Sequence, residues 1–148
     1  MSTGDDVPFE TTLRVRDACL CLHLQRAARA LARRYDEALR PVGLTSGQFS
    51  LLMALNRPEP PPMGAVAALL AMDRTTLTAA LKPLQRRGLV EVAVGAGDRR
   101  SRLLTLTQEG RRVLAEAVPI WQRTHGAVER RLTDQGLQDL KQSLGALL

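Results

Sequence analysis

The sequence predicts a mainly α-helical chain carrying one small β-hairpin, and three observations predict it. Apolar residues recur at three- and four-residue spacing through most of the 148 positions. Aromatic residues make up only 3%, so leucine, valine and alanine do the packing, which favours helices. One stretch, LVEVAVGAGDRRSRLLTLT at 89–107, breaks the helical rhythm. Two apolar or alternating runs flank glycines and arginines there, in the manner of two strands and a turn.

The elements follow in order. From about Leu13 to Leu39, apolar residues at Cys21, Leu24, Ala28, Leu31, Tyr35 and Ala38 predict one long amphipathic helix, ended by Pro41 and Gly43. TSGQFSLLMALN opens on Thr45 or Ser46 as N-cap and predicts a second helix, apolar at Phe49, Leu52 and Leu55. The four prolines of NRPEPPP at 56–62 exclude helix and central strand alike and predict a stiff loop. MGAVAALLAM at 63–72 reads as a short, largely buried helix.

Asp73 then caps RTTLTAALKPLQRRG, with Leu77, Leu81 and Leu84 on one face and Gly88 as the stop. At 100° per residue the other face holds Thr75, Ala79, Lys82 and Arg86, with Thr78 at its edge. Pro83 sits inside this helix and costs it a hydrogen bond. After the hairpin, Thr107 caps a long helix with Leu114, Val118, Trp121, His125, Val128 and Leu132 in four-three alternation, and Thr133 opens a last helix carrying Leu137, Leu140, Leu144 and Leu147.

Charge is concentrated in the middle of this order. The net charge is +6. Residues 73–102 carry seven basic side chains (Arg74, Lys82, Arg86, Arg87, Arg99, Arg100, Arg102) against Asp73, Glu91 and Asp98, which places +4 of that +6 in thirty residues. A polyanionic partner follows from such a patch more than from the total.

Short helix, turn, polar-faced helix and a hairpin with arginines at its tip form the order of a winged helix-turn-helix. Thr75, Thr76 and Thr78 offer hydroxyls to base edges near the helix start, and Lys82, Arg86 and Arg87 meet phosphates. Arg99, Arg100 and Arg102 crowd the hairpin tip, where an arginine can enter a minor groove. Asp98 is expected to hold the Arg100 guanidinium through a charge-assisted hydrogen bond.

The runs MDRTTLTAALKPLQRRGLVE and GDRRSRLLTLTQEG resemble the signature of the MarR family of bacterial transcription regulators, matching it at Asp98, Arg100, Ser101, Leu106, Thr107 and Gly110. The resemblance extends from GLTSGQFSLLMAL at 43–55 to the last helix. The proline-rich loop and Pro83 depart from the general pattern. The resemblance implies a winged helix-turn-helix at 43–108 between an N-terminal dimerisation helix within 1–42 and C-terminal dimerisation helices within 109–148. It implies a homodimeric repressor that binds a pseudo-palindromic operator on double-stranded DNA and is released by a small-molecule effector or by oxidation. The apolar stripes of the first and last helices, too large for a small domain to bury, point to the same symmetric partner.

Two switches stand open. LCLHLQRAAR at 20–29 resembles the first-helix segment of the organic-hydroperoxide-sensing branch of the family, with Cys21 at the reactive-thiol position, Tyr35 matching an assisting tyrosine and Gln25 where a second would stand. Cys21 and Tyr35 are fourteen residues apart, about 21 Å along one helix, so they meet only across two subunits. The alternative reading of Cys21 is simple packing, since free cysteine is commonly buried. The commoner family switch is an aromatic or amphipathic acid, for which His23, Arg26, Tyr35 and Trp121 are the candidate lining residues, although Trp121 and His125 also suit a core stripe.

Other classes fit less well. Two histidines without metal-ligand spacing, no Gly-rich phosphate loop and no nucleophile motif argue against an enzyme, a metal site or a cofactor. The acidic start MSTGDDVPFE has no apolar h-region, MGAVAALLAM is too short to span a bilayer, and Cys19 and Cys21 lie on nearly opposite helix faces, against a mutual disulfide. Together these predict a cytoplasmic protein without a membrane partner. A winged-helix adaptor that binds protein instead of DNA remains the rival.

Overall fold

A computed structural model describes Gly4 and residues 6–148; the other residues of the acidic start lie outside the described residues. The elements run α1 (Phe9–Ala18), α2 (Leu20–Leu39), a single 3-10 turn (Arg40–Val42), α3 (Ser46–Leu55), α4 (Met63–Leu69), α5 (Arg74–Arg86), β1 (Val90–Val94), β2 (Arg102–Leu106), α6 (Gln108–Glu129) and α7 (Asp134–Gly145).

Local chemistry explains most of these boundaries. Thr45 and Gln48 form a reciprocal capping box at the start of α3. Thr107 accepts from the Gly110 amide and donates to the Gly88 carbonyl, so one hydroxyl caps α6 and fastens it to the turn before β1. Thr133 caps α7 through the Gly136 amide. Gly88 takes the left-handed conformation (φ 69°) that ends α5. Gly110 is required by space, because a Cβ there would run into the Leu89 carbonyl oxygen.

The long first helix expected from periodicity is two helices. Cys19 adopts an extended conformation (φ −70°, ψ 107°) and serves as both the last cap of α1 and the first of α2. No proline or glycine marks this break, which is why it is invisible in the sequence. No residue of α1 is buried, so no packing holds the two segments in line, and the His23 ring Nε2 donates to the open Asp17 carbonyl at 2.9 Å.

The core lies between α3, α5, the hairpin and the first half of α6. Leu52, Leu77, Leu84 and Leu104 are fully buried, and Leu39 at the end of α2 joins them. The hairpin pairs Val90 with Leu106 through Val94 with Arg102, and alternate residues Val90, Leu104 and Leu106 face the core. The proline loop has a role beyond stiffness. Leu104 donates its amide to the Pro61 carbonyl, and Pro62 bridges Leu103, so the loop covers the outer edge of β2.

The outer helices remain open. Phe9 is 69% exposed on α1, Leu20 66% on α2 and Leu147 57% at the carboxyl end. No single helix among the described residues is long and apolar enough to cross a membrane.

Candidate nucleic-acid interface

Helices α4 and α5 meet at 102°, within the range of a helix-turn-helix. The turn needs one left-handed residue, and Ala71 supplies it at φ 52°. Asp73 then receives the Thr76 amide at 2.7 Å and the Thr76 hydroxyl at 3.0 Å. Those bonds, the backbone one foremost, hold its carboxyl below the usual aspartate range.

The leucines of α5 anchor it, and its opposite side is free. Thr75, Thr78, Ala79 and Lys82 line a shallow surface with Arg74. The three threonines are not equivalent. Thr76 donates its hydroxyl to Asp73 and Thr78 donates to the Arg74 carbonyl at 2.8 Å, the back-bonding that threonine makes inside helices. Both hydroxyls thus commit their proton within the protein and keep only acceptor capacity, a distinction that residue type alone does not carry.

The wing tip corrects a second expectation. Asp98 Oδ1 accepts from the Arg100 backbone amide at 2.9 Å, not from its guanidinium. An aspartate reaching the main chain two residues on is an Asx turn, and local geometry favours it over a longer side-chain reach. Gly97 at φ 84° completes the reversal, and Gly95 and Ser101 close it with a 3.0 Å main-chain bond. Arg102, expected among the DNA contacts, is half-buried, and its Nη1 donates to the carbonyls of Arg99 (2.7 Å) and Ser101 (3.1 Å). Arg87 likewise donates to the Gly43 carbonyl at 2.6 Å and ties the end of α5 to the turn before α3.

Lys82, Arg86, Arg99 and Arg100 are exposed. The ion pairs among the described residues involve Arg16, Arg112 and His125, none of them on α5 or the hairpin. The basic side chains of this side thus form no ion pair with Asp73, Glu91 or Asp98, and a net positive charge is left for a polyanion.

The candidate switch residues do not form one pocket within a chain. His23 and Arg26 border a shallow groove along α2 with Arg29 and Arg33. Cys21 is exposed and Cys19 half-buried, both as free thiols. Trp121 instead lines a separate apolar cleft of about 610 Å³ with Phe49, Met53, Arg57, Leu69 and Val118. Tyr35 lies behind it, its hydroxyl 3.0 Å from His125 Nδ1. Periodicity placed His125 on the α6 stripe but could not supply its partner, ninety residues away.

A helix pair at this angle, a cationic second helix and an arginine-tipped hairpin define a winged helix-turn-helix of the DNA-binding class. The comparisons with known proteins agree. A MarR family model matches residues 42–101. The organic hydroperoxide resistance transcriptional regulator of Bacillus subtilis is 30% identical over 128 residues, covering 86% of this chain and 84% of that protein. The transcriptional activatory protein BadR of Rhodopseudomonas palustris is 36% identical over 97 residues, and the match spans 64% of this chain and 55% of BadR. The crystal structure of the Mycobacterium tuberculosis transcriptional regulator MosR in complex with DNA superposes with a TM-score of 0.75 at 39% identity, covering 87% of this chain and 98% of that one. The chain belongs to the MarR family of transcription regulators.

Proposed function

We propose that two copies of this chain form a repressor that binds a pseudo-palindromic operator in the cytoplasm and performs no catalysis. Residues 43–108 would read DNA, and the helices of 1–42 and 109–148 would join the subunits. The exposed apolar side chains of α1, α2 and α7 support that division, since burying them needs a second surface. In this reading Thr75 and Ala79 face base edges in the major groove, Lys82 and Arg86 meet phosphates, and Arg99 and Arg100 enter the flanking minor groove. The observation that carries it is the cationic surface shared by α5 and the wing tip, which no acidic side chain among the described residues pairs.

Release would come from a small amphipathic or aromatic acid in the cleft between α3 and α6, with Phe49 and Trp121 as walls and Arg57 as the cationic anchor. A mobility shift on the DNA upstream of its own gene tests the reading. Salt-sensitive retention that survives nonspecific competitor supports a regulator; no retention under any condition favours the protein-binding adaptor.

Exposure of Cys21 and the likeness to a hydroperoxide-resistance regulator favour a second release mode, oxidation of that thiol. Peroxide-induced release that is unchanged in Cys21→Ser removes this mode.

A further inference from the structure

Two cations of the α5–wing surface donate to main-chain carbonyls of the wing tip. Arg102 spans the Arg99 and Ser101 carbonyls from inside the tip, and Arg74 Nη2 reaches across to the Arg100 carbonyl at 3.3 Å. Two of these three carbonyls, those of Arg99 and Arg100, belong to residues whose side chains are exposed. Arg74 is the first residue of α5, directly after the cap at Asp73, so its Cα is fixed by the helix start. Arg74, Arg100 and Arg102 border one small cleft together with Met63, Thr78 and Val92. Gathering three like charges there costs Coulomb energy, which carbonyl dipoles at the tip offset for the guanidinium groups of Arg74 and Arg102.

We propose that Arg74 and Arg102 are positioning residues that act through Arg99 and Arg100: Arg102 shapes the wing tip, and Arg74 ties that tip to the first turn of α5. The inference deepens the DNA-binding reading above and rests on it. A winged protein must place its helix and its wing in neighbouring grooves at the same time. A tie between them orders that spacing before DNA arrives and lowers the ordering cost of binding. Arg102 Nη1 carries two N–H donors, one for each of the Arg99 and Ser101 oxygens, and Arg74 uses Nη2 alone.

The free, full-length protein provides the first test, by the heteronuclear NOE of the Gly97 and Arg100 amides. Arg74→Ala and Arg102→Ala each lower it at the tip while the α3 and α6 amides stay rigid; wild-type order at the tip in both variants overturns the proposal. A double-mutant cycle on operator affinity provides the second. Arg74→Ala costs about tenfold where Arg100 is present, the scale of one hydrogen bond, and at most about twofold in the Arg100→Ala background. An equal cost in both backgrounds marks Arg74 as an independent phosphate contact and overturns the proposal. If Arg100→Ala alone binds as tightly as wild type, the DNA reading falls together with the inference. Weakened binding by Arg100→Ala with wild-type tip order in both Arg74→Ala and Arg102→Ala overturns the inference alone.

Discussion

The Tyr35 hydroxyl lies 3.0 Å from His125 Nδ1 and joins α2 to α6 across ninety residues of sequence. His125 Nε2 faces the Glu129 carboxylate at 2.5 Å. A carboxylate only accepts, so Nε2 carries the proton and, in the neutral ring, Nδ1 accepts from the tyrosine. The imidazole stacks on Trp121 at 4.5 Å, and Trp121 in turn stacks on Phe49 of α3 at 6.0 Å. A change in the angle between α3 and the α2–α6 frame must break one of these contacts.

Tyr35 is the single tyrosine of the chain, so ultraviolet titration reads it alone. Burial, with a smaller contribution from the Glu129 carboxylate, pushes its pKa above 10.0. The folded state therefore favours the neutral phenol. Its contribution to stability is complete below pH 10 and is lost as pH rises through the folded-state pKa. Ionisation at or below the free value in the folded protein contradicts this placement. Tyr35→Phe costs about 1 kcal/mol by thermal melting, and the alkaline loss of stability that wild type shows is reduced in it.

Gly110→Ala sets a new Cβ against the Leu89 carbonyl oxygen. Both atoms belong to main chain held by the Thr107 cap and the Gly88 turn, so neither yields easily. Calorimetry should find a loss of about 1–3 kcal/mol, the usual cost of overpacking. Gly64→Ala meets nothing within 4 Å and is the control that should match or exceed wild type.

Asp73→Asn keeps the cap's shape and removes its charge. Because hydrogen bonds to Thr76 lower the folded-state pKa of Asp73, its share of stability is present above the ordinary aspartate range and is lost as pH falls through the lowered value. Melting temperatures of wild type and variant should thus converge on acidification below about pH 4. A gap that stays constant across that range shows that the carboxylate does not act as the charged cap.

Lys82→Ala removes one phosphate contact in the proposed interface. Operator and nonspecific DNA should weaken together, and the slope of log affinity against log salt should become shallower by about 1. A loss confined to the operator at unchanged slope identifies Lys82 as a base reader instead.

What was legible in the sequence was local. Thr45, Asp73, Thr107 and Thr133 announced their helix starts because a cap acts within three residues, and the glycines at 95 and 97 announced the turn for the same reason. The break at Cys19 was hidden, since no proline or glycine marks it. At the candidate interface, residue type and spacing located the cationic side but not the direction of each guanidinium. Arg87, Arg102 and Arg74 turn to carbonyls at Gly43, Arg99 and Arg100, and only the folded chain determines which carbonyls are open. The Tyr35–His125 pair was beyond reach because two separate helix faces had to be set against each other.

Hydroxyl-radical footprinting on the bound operator, comparing wild type with Arg100→Ala, bears most directly on the claim that α5 and the wing form a DNA-reading surface. The account predicts two symmetric sets of minor-groove protection flanking major-groove half-sites, about one helical turn or a multiple apart, with the minor-groove protection lost in Arg100→Ala. A footprint identical in both proteins, or none in wild type, would contradict it.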